Sequence, residues 1–316
     1  MRFVFFGVPQ FGAIILEKLI QANLKPVLVI TSPDKPVGRK QVITPPPVKV
    51  ISQKYKIPVA QPETIETFKS ELKKINPDLA VVAAYGTKAI PNDILGLPKH
   101  GFINVHPSLL PRWRGASPIQ YTILSGDSET GVTIILMDEK IDHGSIIAIS
   151  KIKITNEKVT SEELIQELAE LGAKLLIKTI PLWLKNKIKP VPQDDLTAVY
   201  RKRLEKSDGK IDWQKSADYI ERQIRALNPW PGTFTKTEDK GKKKSLKIFK
   251  AFIQKQTKQG PFGIAGKTYL ASNDKIAVQC GKDFLVLEEL QFEGGKRMAV
   301  KDFLKGHPDF VGTILK

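Results

Sequence analysis

The first 150 residues alternate between two hydrophobic rhythms. Short unbroken apolar runs at residues 3–6, 27–31, 79–84 and 102–105 are of the kind that form strands buried on both faces of a parallel sheet. Residues 11–22 and 65–75, lying between them, place apolar side chains at helical spacing instead. Strand and helix in alternation predict an α/β fold: a mainly parallel sheet with helices on both faces. Two further runs, 132–137 and 146–154, are separated only by a polar turn at 138–144 and predict a hairpin at one edge. A long helix is expected at 161–179. Thr160 and Glu163 stand as a capping box, Leu164, Leu168, Leu171 and Leu175 form its apolar stripe, and Pro181 closes it.

After residue 187 the pattern changes. Pro190 and Pro192 break the periodicity, Gln193-Asp194-Asp195 is polar, and Tyr200-Arg201-Lys202-Arg203 forms a basic knot. Beyond a helix at 216–226, the runs 233–237, 246–254, 267–271, 276–279 and 284–287 predict short strands, with Gly260, Gly263, Gly266 and Gly281 between them. Strands of this number and length suit a small β-barrel, and the OB-fold is a common barrel of that kind that binds nucleic acid. The expected organisation is therefore a first domain at 1–187, a linker at 188–206 and a second, OB-like domain at 207–316.

Charge sharpens this division. The chain of 316 residues carries a net +17. Residues 1–199 hold 25 Lys/Arg against 19 Asp/Glu, whereas residues 200–316 hold 25 against 14. The smaller part is more basic per residue, as a module that grips a polyanion would be; a Lys-rich surface that only keeps the protein in solution is the plain alternative. Lys240-Gly241-Lys242-Lys243-Lys244 is a basic hairpin tip. No apolar run reaches the length of a membrane span, and Met1-Arg2 leads straight into the first strand, so a soluble protein without a secretory signal is expected. One cysteine, Cys280, allows no internal disulfide and fits a reducing compartment, and four histidines without ligand spacing give no reason to expect a metal.

Candidate chemistry is concentrated after the fourth strand. Asn104 and His106 are two apart, so a strand points both to one side, at the carboxyl end where open α/β sheets hold ligands. Asparagine can donate to a carbonyl oxygen that gains negative charge, and an imidazole can move the proton of an attacking amine. Asp142, 36 residues later in the 138–144 turn, could orient that imidazole; taken alone it reads as a turn residue. Between them lie Ser108-Leu109-Leu110-Pro111, a pocket-forming turn, and Arg112-Trp113-Arg114. There the tryptophan is either a stacking face between two phosphate forks or an anchor of its loop. Residues 31–47 are long and proline-rich for a βα connection. Read as a loop over the site, this segment offers Lys35, Arg39 and Lys40 to an anionic substrate. Gly7-Val8-Pro9-Gln10-Phe11-Gly12 lacks a dinucleotide fingerprint, and no Walker lysine, nucleophile elbow or zinc-protease signature occurs.

Asn104-x-His106 with Asp142 resembles the catalytic set of the folate-dependent formyltransferases, including the enzymes of glycinamide ribonucleotide and of aminosugars. Three features resemble one branch, the methionyl-tRNA formyltransferases: Pro33-Asp34-Lys35-Pro36-Val37-Gly38-Arg39, Lys210-Ile211-Asp212-Trp213, and Leu227-Asn228-Pro229-Trp230-Pro231-Gly232. The resemblance implies a Rossmann-like catalytic domain and transfer of a formyl group from 10-formyltetrahydrofolate to the amine of initiator methionyl-tRNA. It also implies catalytic roles for Asn104, His106 and Asp142, folate contacts at Ser108, Leu109, Leu110 and Pro111, and tRNA contacts at Lys35, Arg39, Lys40, Arg112 and Arg114. A monomer in the bacterial cytoplasm, without metal or membrane, goes with it. An aminosugar-nucleotide formyltransferase is the alternative within the same chemistry. Lys140 and His143 stand where the family turn has glycine and threonine, Thr87-Lys88 follow Tyr85-Gly86 where an apolar continuation is usual, and Gln41 is a departure in the acceptor loop.

Overall fold

Phe3, Val4, Phe5 and Phe6 are all fully buried, which a strand permits only when both faces of its sheet are covered. The computed structural model describes residues 1–38, 40–86, 90–239, 241–256, 263–272 and 274–316. It divides into two compact units, Met1–Ile119 with Ser128–Thr155 and Glu162–Lys202, and Gln120–Asp127 with Asn156–Ser161 and Arg203–Lys316.

In the first unit β1 (Phe3–Gly7) leads through α1 (Gln10–Gln21) to β2 (Leu28–Ile30), followed by β3 (Lys35–Val37), β4 (Val42–Thr44), α2 (Pro47–Lys54) and β5 (Val59–Ala60). Then come α3 (Lys69–Ile75), β6 (Leu79–Ala83), α4 (Asn92–Leu95), β7 (Phe102–His106), β8 (Arg114–Gly115), α5 (Pro118–Ser125, which from Gln120 on belongs to the second unit), β9 (Glu129–Leu136) and β10 (Ile146–Lys153). The main sheet has the order β10-β9-β7-β6-β1-β2-β5. It is parallel from β5 to β7, and the β9–β10 hairpin adds an antiparallel edge.

Four local expectations are corrected. Residues 31–47 contain a two-stranded hairpin of β3 and β4, because Lys35–Val37 and Val42–Thr44 pair antiparallel around the left-handed Gly38 and Gln41. The helix expected from residue 65 is a 3-10 turn at Glu66–Phe68 running into α3. Pro181 does not close α6 (Ser161–Leu184), which continues through it. The missing N–H leaves one bond unmade, but Ile180 is buried and the Trp183 indole donates to the His100 carbonyl (3.0 Å), so tertiary contacts hold the last turn. The buried stripe also rotates from the expected one, with Leu164, Leu168, Ala173, Leu176 and Ile180 inside. Gly172 lies on it, where an added Cβ would come within 2.9 Å of the Val105 side chain. The helix therefore lies close against β7.

The last residues of the first unit include β11 (Tyr200–Arg201). In the second unit α7 (Ala217–Leu227) starts at Ser216, whose hydroxyl accepts from the Tyr219 N–H. It is followed by β12 (Thr233–Asp239), β13 (Lys242–Gln254), β14 (Thr268–Ser272), β15 (Lys275–Gln279), β16 (Phe284–Phe292), β17 (Met298–Ala299) and α8 (Val300–Gly306). The strands form one antiparallel sheet, β12-β13-β16-β15-β14, with β17 on β16. Its two edges are joined by the tail. Lys236 and Lys316 exchange backbone bonds of 2.8 Å, while Leu315 donates to the Gly266 carbonyl and Thr268 to that of Thr313, each at 2.9 Å. Closure by the tail turns the sheet into a small barrel and leaves neither edge strand unpaired. Ile220 and Ile224 of α7, Leu246, Ile248, Leu285 and Leu315 are buried in its core.

Candidate active site

β7 delivers Asn104 and His106 to one side of the sheet, at the carboxyl end of a parallel strand. Both are buried, at 9% and 5% exposure. Neighbouring β9 is antiparallel here, with His106 opposite Thr133 and Asn104 opposite Ile135. Asp142 comes from the turn between β9 and β10 and adopts φ +52, the left-handed region that few non-glycine residues enter. The three side chains meet. Asn104 Nδ2 donates to Asp142 Oδ1 at 3.2 Å, and His106 Nδ1 lies 3.4 Å from the same oxygen. The other carboxylate oxygen accepts the Gly115 N–H at 2.9 Å.

The imidazole faces an acceptor at each nitrogen, since Nε2 donates to the Trp113 carbonyl at 3.0 Å. Only the imidazolium satisfies both. Burial disfavours that charge, but the Asp142 carboxylate, its hydrogen bond and the Trp113 carbonyl outweigh it and hold the His106 pKa above the ordinary value of 6.5. For Asp142 burial likewise favours the neutral form. The His106 charge and hydrogen bond, the Gly115 N–H and Arg114 prevail and keep it below 3.8.

The Ser108–Pro111 turn is pinned beside this group by Thr133, a residue that sequence reasoning passed over. Its hydroxyl donates to the Ser108 carbonyl at 2.7 Å and accepts the Leu110 N–H at 3.1 Å. The Ser108 hydroxyl donates to the Arg112 carbonyl (2.7 Å), so its one proton is already spent within the turn. Leu109 and Pro111 are half-buried and Leu110 is buried. The donor set of an amide, an imidazolium and a carboxylate, next to an apolar turn, suits a carbonyl that gains charge while an amine loses a proton.

Lys140 does not hold the left-handed position of its turn, which belongs to Asp142, so the bulk of a lysine is accommodated; its N–H donates to Asp138 Oδ1 at 3.0 Å. His143 Nδ1 contacts Asp138, and its Nε2 lies 3.3 Å from Asp195. Thr87 and Lys88 lie outside the described residues.

The expected cationic contacts fall into different surroundings. Lys35 and Lys40 are exposed on the β3–β4 hairpin, while Arg39 lies outside the described residues. Asp34 anchors the hairpin base through Lys49 (2.8 Å) and Gln61 (2.7 Å). Arg112 is exposed, with its guanidinium 4.1 Å from the Trp113 ring. Trp113 is itself buried, with Arg201 5.1 Å from its ring centre, which favours the anchor reading of this residue. Arg114 is no phosphate fork. It is 1% exposed, and its Nη1 is held by Asp195 at 2.8 Å and the Tyr200 hydroxyl at 2.7 Å, its Nε by Gln193 at 2.9 Å. The left-handed Trp113, at φ +64, breaks the alternation that would put both its neighbours on one face, so Arg112 is exposed and Arg114 buried. Gln193, Asp195 and Tyr200 carried no signal in the sequence, because they lie more than 50 residues beyond Asp142.

Among the described residues no three His, Cys, Asp or Glu side chains converge as a metal ion requires, and no helix is long and apolar enough to cross a membrane. The formyl transferase family matches residues 1–180, and the formyl transferase C-terminal domain matches residues 203–308. A methionyl-tRNA formyltransferase of Caldicellulosiruptor saccharolyticus is 46% identical, with all of both chains covered. One of Staphylococcus epidermidis is 41% identical over 99% of each chain. Among solved structures, the N-formyltransferase of Helicobacter canadensis in complex with folinic acid and dTDP-3-aminofucose superposes with a TM-score of 0.64 at 20% identity, covering 94% of this chain and 100% of that one. That likeness carries the fold alone. The chain belongs to the formyl transferase family, in its methionyl-tRNA formyltransferase branch.

Proposed function

We propose that this protein formylates the α-amine of methionine esterified to initiator tRNA, with 10-formyltetrahydrofolate as donor. The observation that carries the reading is the meeting of Asn104 and His106 on one oxygen of Asp142, 3.2 and 3.4 Å away, in a chain related over its full length to methionyl-tRNA formyltransferases. When bound, 10-formyltetrahydrofolate supplies a formyl carbon on nitrogen; the methionyl amine takes that carbon, and the amine proton ends on the released nitrogen. Asn104 donates to the formyl oxygen as charge gathers there. His106, held in the charged form by Asp142, gives a proton to the released nitrogen and then takes up the proton of the attacking amine. Leu109, Leu110 and Pro111 supply the apolar wall against the donor, with Ser108 bracing the turn.

We assign tRNA phosphate contacts to Lys35, Arg39, Lys40 and Arg112, and a supporting role to Arg114. The proposed division is a catalytic domain at 1–187, a connecting segment at 188–206 whose residues as far as Lys202 pack with the first unit, and a tRNA-holding barrel domain at 207–316. The catalytic trio comes from one chain, which supports action as a monomer, and charged tRNA with folate as substrates supports the bacterial cytoplasm as its place. The test is formylation of initiator and elongator methionyl-tRNA, side by side with an aminosugar nucleotide. Formylation of the initiator is expected; formylation of the sugar alone overturns the reading.

A further inference from the structure

Residues 191–201, expected to be linker, belong to the first unit and grip Asp142 from two sides. Val191 and Ile146 exchange backbone bonds of 2.7 and 2.9 Å, which lays the segment beside the Asp142 turn. There the Gln193 carboxamide donates to the carbonyl of Asp142 at 2.9 Å and to that of Gly144 at 2.8 Å. Its oxygen accepts from Arg114 Nε, a group that can only donate, so the amide end facing the turn is settled. Arg114 in turn is fixed by Asp195 and Tyr200. The second grip is β11 on β8, with Tyr200 beside Arg114 and Arg201 beside Gly115. The Arg201 carbonyl accepts the Ala116 N–H at 3.1 Å. It sits 2.4 Å from where a Cβ on Gly115 would be, so a glycine with φ +96 is required there. Gly115 is the residue whose N–H holds Asp142 Oδ2.

We propose that Gln193 is a positioning residue for formyl transfer, keeping the Asp142 carboxylate on His106 and Asn104 by clamping the backbone of residues 142–144. The inference rests on the catalytic reading above. Side-chain contacts hold one end of Asp142, but its left-handed backbone relaxes readily unless the peptide groups around it are also held. Gln193 holds two of those carbonyls with one planar group, and Arg114 keeps that group from turning over. Without the clamp the carboxylate withdraws from His106, and the imidazolium loses the partner that sustains it.

Two variants separate this from a general packing role. Gln193→Met keeps the size and loses every hydrogen bond; Gln193→Glu keeps the acceptor for Arg114 and loses the donor to the turn. Both are expected to lower kcat about tenfold or more while changing KM for folate and tRNA less than about threefold. In the ligand-free protein, NMR titration of the His106 ring is expected to show its pKa falling in Gln193→Met, the variant that adds no charge of its own. Wild-type kcat with Gln193→Glu, or an unmoved His106 titration in a folded Gln193→Met protein, overturns the proposal. Failure of the catalytic reading is distinguished by Asp142→Asn: if that variant keeps full kcat, the reading itself is wrong, whatever Gln193 does.

Discussion

At the scale of single residues, the site turns on a charge pair that neither partner would sustain alone. Burial opposes ionisation of both His106 and Asp142, yet each stabilises the other's charge. The consequences for stability have opposite signs. The His106 contribution is complete below its ordinary 6.5 and is lost as pH rises through its raised folded value. The Asp142 contribution is complete above 3.8 and is lost as pH falls through its lowered folded value. Differential melting of wild type and Asp142→Asn should therefore show the widest gap between these two ordinary values, narrowing on either side. The same substitution is expected to lower kcat about a hundredfold or more, read by single-turnover formylation. Gly144→Ala should do comparable damage without touching a charge, because its Cβ would lie 1.8 Å from the Leu136 carbonyl. Thermal melting should show it destabilised by roughly 2 kcal/mol or more.

At the scale of elements, the sheet strands were legible because each is a buried, largely apolar run, as β1, β6 and β7 are, with Asn104 and His106 the polar exceptions in β7. The β3–β4 hairpin was not, since Val37, Val42 and Ile43 are exposed and their pairing leaves no hydrophobic pattern facing a core. Its exposure, with Lys35 and Lys40 on it, supports a role in substrate contact. Replacing residues 35–44 by a short glycine-containing turn is expected to raise KM for methionyl-tRNA more than about tenfold and leave KM for folate within about twofold. Steady-state kinetics with each substrate varied in turn will show which. The barrel depends on an element of another kind, the tail. Leu315 is 2% exposed between two backbone pairings, so Leu315→Ala should cost about 2–4 kcal/mol by chemical denaturation.

At the scale of the whole molecule, the net charge of +17 is a statement about partners. Phosphate neutralisation releases counterions, so the KM for methionyl-tRNA should rise at least about tenfold between roughly 50 and 200 mM salt. The folate KM should move far less. Equal salt dependence for both substrates would remove charge from the account of tRNA recognition. Cys280 plays no part in this chemistry. It is buried, and burial pushes its thiol up to about 12.

The sequence by itself determined the alternation of strand and helix and the short strands of the second domain, and it singled out Asn104 and His106 as candidates, while Asp142 took its role from the family resemblance. Apart from Asp142, these follow from local periodicity or from residues close in the chain. Tertiary structure alone decided which way the loop residues face. Arg112 is turned to solvent and Arg114 to the interior, although the two are separated by one position. It also decided that Gln193 reaches Asp142 across 51 residues of chain. The physical reason is the same in both cases. Strand and helix spacings repeat along the chain and can be read from it, whereas a hydrogen bond between distant segments depends on a path through space that the local pattern does not encode.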